Sequence, residues 1–438
     1  MQIHLKTLGC RLNEAELETW AQAFQAKGHG ITRDIHNAQL VVLNSCAVTQ
    51  DAVKKSKQLI RRIHRDNPQA KLVVSGCYAT LNEQEAAQLM GVDLIVGNND
   101  KNQLVEKTLA ELNLDSMPAM STEPGEVSLF NRGRQRAFVK VQDGCRYRCT
   151  FCIVTVARGE ERSRSLQEVV DEINALHGQG IQEAVITGVH LGGYGSDIGS
   201  NLAELIRAIL EKTEIPRLRM GSLEPWELPD GFFELFKNPR LMPHLHLPLQ
   251  SGSDSVLRRM ARRCKTTEFA EIVATARATI PHFNVTTDII VGFPGETEEE
   301  WRESIGYVKS IGFGHIHIFS YSPREGTKAA GLPNQISNDL KRQRSRELHE
   351  IAEANKQQFA AENLGTKVEI LWEGQAESLE NGQTRYFGYT PNYLRVACDT
   401  DGDTVLTNQI RPAALLEAQT DLIVVNLLSA DSQTPEII

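Results

Sequence analysis

Short apolar runs punctuate the first hundred residues, and each is followed by a stretch whose apolar positions recur at helical spacing. QIHLKTL (2–8) precedes a helical pattern from Asn13 to Lys27, and LVVLN (40–44) precedes the basic DAVKKSKQLIRRIHR. KLVVSG (71–76) precedes LNEQEAAQLM, and DLIVG (93–97) precedes KNQLVEKTLAEL. The runs are short and end on Gly or Asn, which favours strands over buried helix segments. Strands alternating with helices predict an α/β domain with a doubly wound parallel sheet over residues 1–114. Residues 115–133, rich in Pro, Gly, Ser and Thr without periodicity, read as a linker. From 134 to 364, AFVKVQ, EAVITG, RLRMGSL, HLHLPLQ, NVTTDIIVGF and HIHIFSYS alternate with helical stretches, and a charged helix from about Asn338 leads out. Six such strands predict an open, partial β/α barrel, whose chemistry belongs at the strand C-terminal ends. The tail, 365–438, changes to alternating runs separated by turns (KVEILWEG, YFGYTPNYLRVAC, DLIVVNLL), the pattern of a small all-β module.

At 438 residues the chain is too long for one ordinary core, in keeping with several domains. No apolar stretch is long enough to span a bilayer and the start lacks a signal-peptide build, so a cytoplasmic protein with no membrane partner is expected. The formal charge of −9 excludes a general nucleic-acid coat, so any RNA contact must rest on a local patch. Eight cysteines in a reducing compartment are better metal ligands or reactive thiols than disulfides.

Three of them, Cys10, Cys46 and Cys77, each follow a predicted strand. In an open α/β sheet that edge is the ligand crevice, so residues distant in sequence gather there. Three unrelated buried thiols would be the plain alternative, since free Cys is often buried. A second set lies in DGCRYRCTFC, with Cys145, Cys149 and Cys152 spaced C-x₃-C-x₂-C after AFVKVQ. A structural zinc site closes a tetrahedron with four ligands; here there are three thiolates and no nearby His. A four-iron cluster on three thiolates keeps one iron open for a further ligand.

That spacing is the signature of the radical S-adenosylmethionine (SAM) superfamily. The motifs TLGCRLNEAE, NSCAVT with KKSKQLIRR, SGCYA, ITGVHLGGYG, GSLEPWEL, HLPLQSGSD, DIIVGFPGET and FSYSPREGTKAA, in this order, resemble those of the radical SAM methylthiotransferases. The resemblance implies a TRAM-like C-terminal domain, SAM as cosubstrate, and two [4Fe-4S] clusters. Cys145, Cys149 and Cys152 would hold the catalytic one, and Cys10, Cys46 and Cys77 the other. It implies two steps, each using one SAM: methylation of a sulfur on the second cluster, then radical insertion of the methylthio group. AVT after Cys46 and the KSKQLIRR helix are most similar to the branch acting at C2 of N6-threonylcarbamoyl-adenosine beside the tRNA anticodon. Branches acting on isopentenyl-adenosine or on a ribosomal-protein side chain are the nearer alternatives, and a non-catalytic iron–sulfur RNA-binding redox sensor the more distant one. Partners implied are tRNA and an electron donor such as a flavodoxin or ferredoxin.

By the same resemblance Phe151 is expected near the SAM adenine, with plain packing as its alternative. Thr187 and Gly188 are expected where backbone approaches SAM closely, unless they form a simple turn. Glu224 and Asp288 are expected to partner SAM's ribose or amino group, unless they are solvated or capping carboxylates. His244, His246, His315 and His317 alternate along strands and read as barrel-lining rather than ligands. Cys264 and Cys398 read as core thiols. Arg132, Arg134, Arg136, Arg146, Arg148, Arg158, Arg162 and Arg164 crowd the cysteine motif and suggest a basic rim for phosphate. In the acidic tail, Tyr386, Phe387, Tyr389 and Tyr393 are either base-stacking platforms or core. The chain departs from the family after Cys152, where IVTVARG replaces a proline and an aromatic residue, and at Cys264, where tyrosine is usual.

Overall fold

The computed structural model describes residues 1–112, 135–401 and 404–428. The linker predicted over 115–133, together with Arg132 and Arg134, lies outside them. The described residues fall into two compact units that do not follow chain order. One combines Met1–Arg132 with Gln142–Arg162 and Ser322–Ala330, and the other takes Gly133–Val141, Ser163–Tyr321 and Gly331–Ile438.

In the first unit β1 (Gln2–Thr7), α1 (Arg11–Ala26), β2 (Gly30–Ile31), β3 (Leu40–Ser45), α2 (Gln50–Asp66) and β4 (Lys71–Gly76) follow one another. They continue into α3 (Cys77–Leu81), α4 (Glu83–Ala87), β5 (Leu94–Val96) and α5 (Leu104–Glu111). The strands form one parallel sheet in the order β2-β1-β3-β4-β5. Strand side chains alternate between faces, so β3 serves two cores at once. Val42 packs with Trp20 and Phe24 of α1, while Val41 and Leu43 pack with Ile60 and Ile63 of α2. Two differences from the expected elements have local causes. LNEQEAAQLM is broken at Asn82, whose φ of −132° and ψ of 45° are not helical. The two-residue β2 is too short to show any alternation.

The second unit holds six parallel strands in sequential order: Arg136–Lys140, Glu183–Thr187, Arg217–Met220, His244–His246, Asn284–Val291 and His315–Ser320. Bridges Leu218–Leu241 and Ser222–His246 carry the sheet across its middle. This is the expected partial barrel. Its helices start where the sequence offers caps: Ser165 with Glu168, Asn201, Thr297 with Glu300, and Ser337 before the long helix Asn338–Glu362. The tail forms a closed five-stranded barrel, Lys367–Ser378, Thr384–Tyr389, Arg395–Thr400, Ile423–Leu427 and Ile410–Ala418. Its core is built on Trp372, Val396, Cys398, Leu415 and Val425. The strand Ile410–Ala418 has no counterpart in the sequence reading, because Pro412 and the run AALL mask its period. Pro412 sits opposite Glu369.

The tail barrel joins the six-stranded sheet at the strands' N-terminal ends. Arg217 donates to the carbonyls of Tyr389 (3.1 Å) and Glu369 (2.6 Å), Arg219 to that of Pro391 (3.0 Å), and Asn284 Nδ2 to that of Asn392 (2.8 Å). Tyr389 and Tyr393 stack with centroids 5.0 Å apart, Arg136 lying 4.3 Å from the first ring and Arg219 4.5 Å from the second. Tyr386 and Phe387 are buried. Tyr386 and Phe387 thus fit the core reading, while Tyr389 and Tyr393 are half-buried at the joint. At the centre of the joint Glu183, wholly buried, accepts two bonds from Arg219 (3.0 and 3.1 Å) and lies 3.3 Å from Arg136.

Burial alone would raise the Glu183 carboxyl, but Arg219, Arg136 and Arg217 outweigh it and hold it down at about 2 against an ordinary 4.5. A depressed carboxylate contributes stability that is present above the unfolded value and lost as pH falls through the folded one. The second unit is therefore expected to lose stability between pH 4.5 and about 2 through this group. Glu183→Gln should be less stable at neutral pH and show a flatter stability–pH slope in that window, measured by denaturant unfolding followed by circular dichroism.

Candidate active site

Cys10 stands at the N-terminus of α1, Cys46 directly after β3, and Cys77 opens α3 after β4. Two glycines let these loops close up. Gly9 has φ +129°, and a Cβ there would lie 3.0 Å from Cys46 Cβ and 3.1 Å from its Sγ. Gly76 has φ +97°, and a Cβ there would lie 2.2 Å from the Ser45 carbonyl. A side chain at either position would push the strand ends apart. Burial pushes the Cys46 thiol up from its ordinary value, and Cys77 and Cys10 push it the same way, so the three sulfurs act on one another. Cys46 and Cys77 are buried and Cys10 is exposed. Asn98 Nδ2 donates to Cys77 Sγ (3.8 Å) and to the Ala157 carbonyl (2.6 Å).

The second cysteine loop lies in the same unit. Gly144 has φ +76°, and a Cβ there would come within 1.8 Å of the Glu160 carbonyl, so the loop's two ends touch. Cys145 N donates to Gly159 O (3.1 Å) and Thr155 Oγ1 to Tyr147 O (2.7 Å), while Ala329 N donates to Thr150 O (2.8 Å). Cys145, Cys149 and Cys152 are half-buried, as is Phe151. Val154 N points at Cys152 Sγ (3.4 Å). Both donor sets are three thiols without a histidine in the loop. That set suits a four-iron cluster with one open iron better than a closed zinc site.

Beneath the first set runs a buried charge network that the sequence analysis did not anticipate. Glu16 of α1 receives Lys101 Nζ, Arg158 Nη1 (3.0 Å) and Asn44 Nδ2 (2.8 Å). Arg158 also reaches Asp143 (3.0 Å) and Asn13 (2.9 Å). Lys101 and Arg158 are each 2% exposed. Burial lowers the Lys101 ammonium, with Glu16 opposing; burial also acts to lower Arg158, but Glu16 and Asp143 hold it well above its ordinary value. Cys77 acts on both cations, Cys10 on Arg158, and Cys46 on Arg324. A Glu among Leu12, Ala15, Leu17 and Trp20 on the apolar face of α1 was the available signal. The basic rim needs correction accordingly, for Arg158 is buried, Arg136 is half-buried, and both are paired within their own units. Arg146, Arg148 and Arg162 are the exposed ones near the motif.

In the second unit Thr187 ends its strand, buried, and Gly188 follows half-buried. Gly221 packs on Thr187, its missing Cβ falling 3.5 Å from Thr187 Oγ1. Three residues on, Glu224 has its carboxyl pushed up by burial, with His190 (3.8 Å) and Arg262 opposing. Asp288 lies mid-strand with His246 Nε2 3.2 Å away. The structure thus brings Thr187 towards the Gly221–Glu224 turn, and gives Asp288 a histidine neighbour. Cys264 and Cys398 are buried.

Removing one partner from a buried ion network costs about 3–5 kcal/mol, because the remaining charge is left poorly compensated. Lys101→Met should cost this much in protection of the α1 amides, read by hydrogen-exchange mass spectrometry. Adding Glu16→Gln should restore part of it.

Two family models match the chain, "Radical SAM superfamily" over residues 139–308 and "Uncharacterized protein family UPF0004" over residues 2–97. A threonylcarbamoyladenosine tRNA methylthiotransferase MtaB from Bacillus subtilis is 36% identical over 89% of this chain and 88% of its own length. A protein of the same name from Thermotoga maritima is 38% identical over 85% of this chain and 86% of its own. Among solved structures, the radical SAM methyltransferase TsrM from Kitasatospora setae superposes with a TM-score of 0.58 at 16% identity, covering 75% of this chain and 77% of its own, a likeness of fold. On this whole-length similarity the chain is an enzyme that belongs to the radical SAM methylthiotransferase family and is most like its MtaB branch.

Proposed function

We propose that this enzyme adds a methylthio group to C2 of N6-threonylcarbamoyl-adenosine in tRNA, using two SAM molecules and two [4Fe-4S] clusters. The observation that carries the reading is that two three-thiol sets, Cys10/Cys46/Cys77 and Cys145/Cys149/Cys152, belong to one compact unit of a chain similar throughout to proteins of that name. Cys145, Cys149 and Cys152 would hold a cluster that would supply low-potential electrons to SAM, and Cys10, Cys46 and Cys77 one that would supply the sulfur. The chain's residues shape both. Gly9 and Gly76 permit the close approach of the first set, and Gly144 that of the second. Lys101 and Arg158 set positive charge behind Cys77. Phe151, Thr187, Gly188, Glu224 and Asp288 are our assignments for SAM contacts, with Asp288 shared with His246. A tRNA substrate puts the reaction in the cytoplasm, with a flavodoxin or ferredoxin as the electron source. No helix among the described residues is long and apolar enough to cross a membrane.

For tRNA contact the exposed face of α2 replaces much of the arginine rim. Lys54, Lys55, Arg61, Arg62 and Arg65 are exposed along a helix that begins four residues after Cys46. Lys55, Arg62 and Arg65 are drawn to Asp51 and Asp66. Among the described residues Lys54 and Arg61 carry no such ion pair.

The function is tested by nucleoside mass spectrometry of tRNA from a strain lacking the gene. The 2-methylthio form of threonylcarbamoyl-adenosine should be absent, restored by the intact chain and not by Cys46→Ala. Iron analysis of the reconstituted protein should give about eight irons, and about half that after Cys145, Cys149 and Cys152 are changed together to Ala. An unaltered nucleoside profile in the deletion strain would refute the substrate. For the RNA face, Lys54→Ala with Arg61→Ala should flatten the slope of log K against log salt by about one to two units in a tRNA titration.

A further inference from the structure

The sheet of the second unit gathers a group of three side chains of which the reading above uses only Asp288. The strands His244–His246, Asn284–Val291 and His315–Ser320 are neighbours and parallel. Their register sets His246 opposite Thr286, and Asp288 opposite His317. Thr286 and Asp288 are two apart, so His246, Asp288 and His317 project from one face of the sheet. One ligand atom from each lies within 4.8 Å of the others, and His246 Nε2 is 3.2 Å from Asp288 Oδ1.

We propose that His246, Asp288 and His317 form a divalent transition-metal site of the two-histidine, one-carboxylate kind, separate from the cysteine sets. Ligand bonds of about 2.0–2.2 Å set tetrahedral ligand atoms roughly 3.4 Å apart. The His246–Asp288 separation already has that size. His246 Nδ1 stands 3.0 Å from Thr286 Oγ1, which His244 Nε2 also meets at 3.1 Å. A ring whose Nδ1–H donates to this hydroxyl turns the Nε2 lone pair towards Asp288 and His317, the outer-shell support that ligating histidines use. His246 and Asp288 are partly buried and His317 is exposed. Three protein ligands with one open side leave a position for water or an oxygen donor, as catalytic rather than structural sites do. The sequence reading of these histidines as barrel lining accounts for His244, which is buried. It does not account for two imidazoles converging on a carboxylate.

The test uses the full chain reconstituted with its iron and sulfide. Zn²⁺ is the probe, added in slight excess and removed by desalting, with zinc and iron then counted by mass spectrometry. The unaltered chain should retain about one more zinc than His317→Ala or Asp288→Asn at equal iron. Zn²⁺ should also raise its unfolding temperature and leave that of His317→Ala unmoved. Because His317 is exposed, its removal takes nothing from the core, and unchanged iron reports that the fold and the cysteine sets are intact. Zinc adhering to vacant cysteines would be the same in all three proteins and cancels in the difference. Equal zinc in the unaltered chain and in His317→Ala, or no zinc retained by either, would overturn the proposal, leaving a histidine–carboxylate hydrogen bond.

Discussion

The buried carboxylate of Glu16 is the constraint on which the arrangement of the first unit depends. It is a single negative charge, taken out of water, with Lys101 and Arg158 brought to it from segments remote in sequence. Arg158 ends the short helix after Cys152, and its second partner, Asp143, lies just before Cys145. One guanidinium thereby fastens both flanks of the C-x₃-C-x₂-C loop to α1, the helix that Cys10 begins. Buried ion groups add little net stability compared with a well-packed apolar core. What this one adds is definite placement, with two cations held where Cys77 acts on both.

The second unit solves a similar problem with Glu183. Three arginines from the two strands flanking its own, Arg136 on one and Arg217 and Arg219 on the other, converge on it, which fixes those strands relative to one another. The C-terminal ends are then free to carry Thr187, the Gly221–Glu224 turn and their neighbours. Conserving a rigid base while leaving the strand C-termini to chemistry is the division of labour usual in β/α barrels.

Much of this was legible in the chain because strands and their following turns are local features. The four runs of the first sheet and the six of the barrel match strands, and Cys46 and Cys77 stand immediately after β3 and β4 as the pattern required. What escaped was of three kinds. Elements without a period were missed, as with Gly30–Ile31 and the Pro412 strand. Paired charges were misjudged, since Arg136 and Arg158 look like surface residues until their carboxylate partners from distant segments are known. Convergence was missed too: alternating histidines show which face they share, but only register reveals that Asp288 comes between two of them.

The joint between the tail barrel and the sheet has a consequence for how freely the tail can change. Arg217, Arg219 and Asn284 grip it by the carbonyls of Glu369, Tyr389, Pro391 and Asn392, groups that every amino acid carries. Much of the attachment is therefore blind to side-chain identity. Substitutions on the tail's outer face can alter its charge while these grips hold, so an acidic surface can accumulate by drift on a module whose docking demands only a backbone path and the two stacked tyrosines.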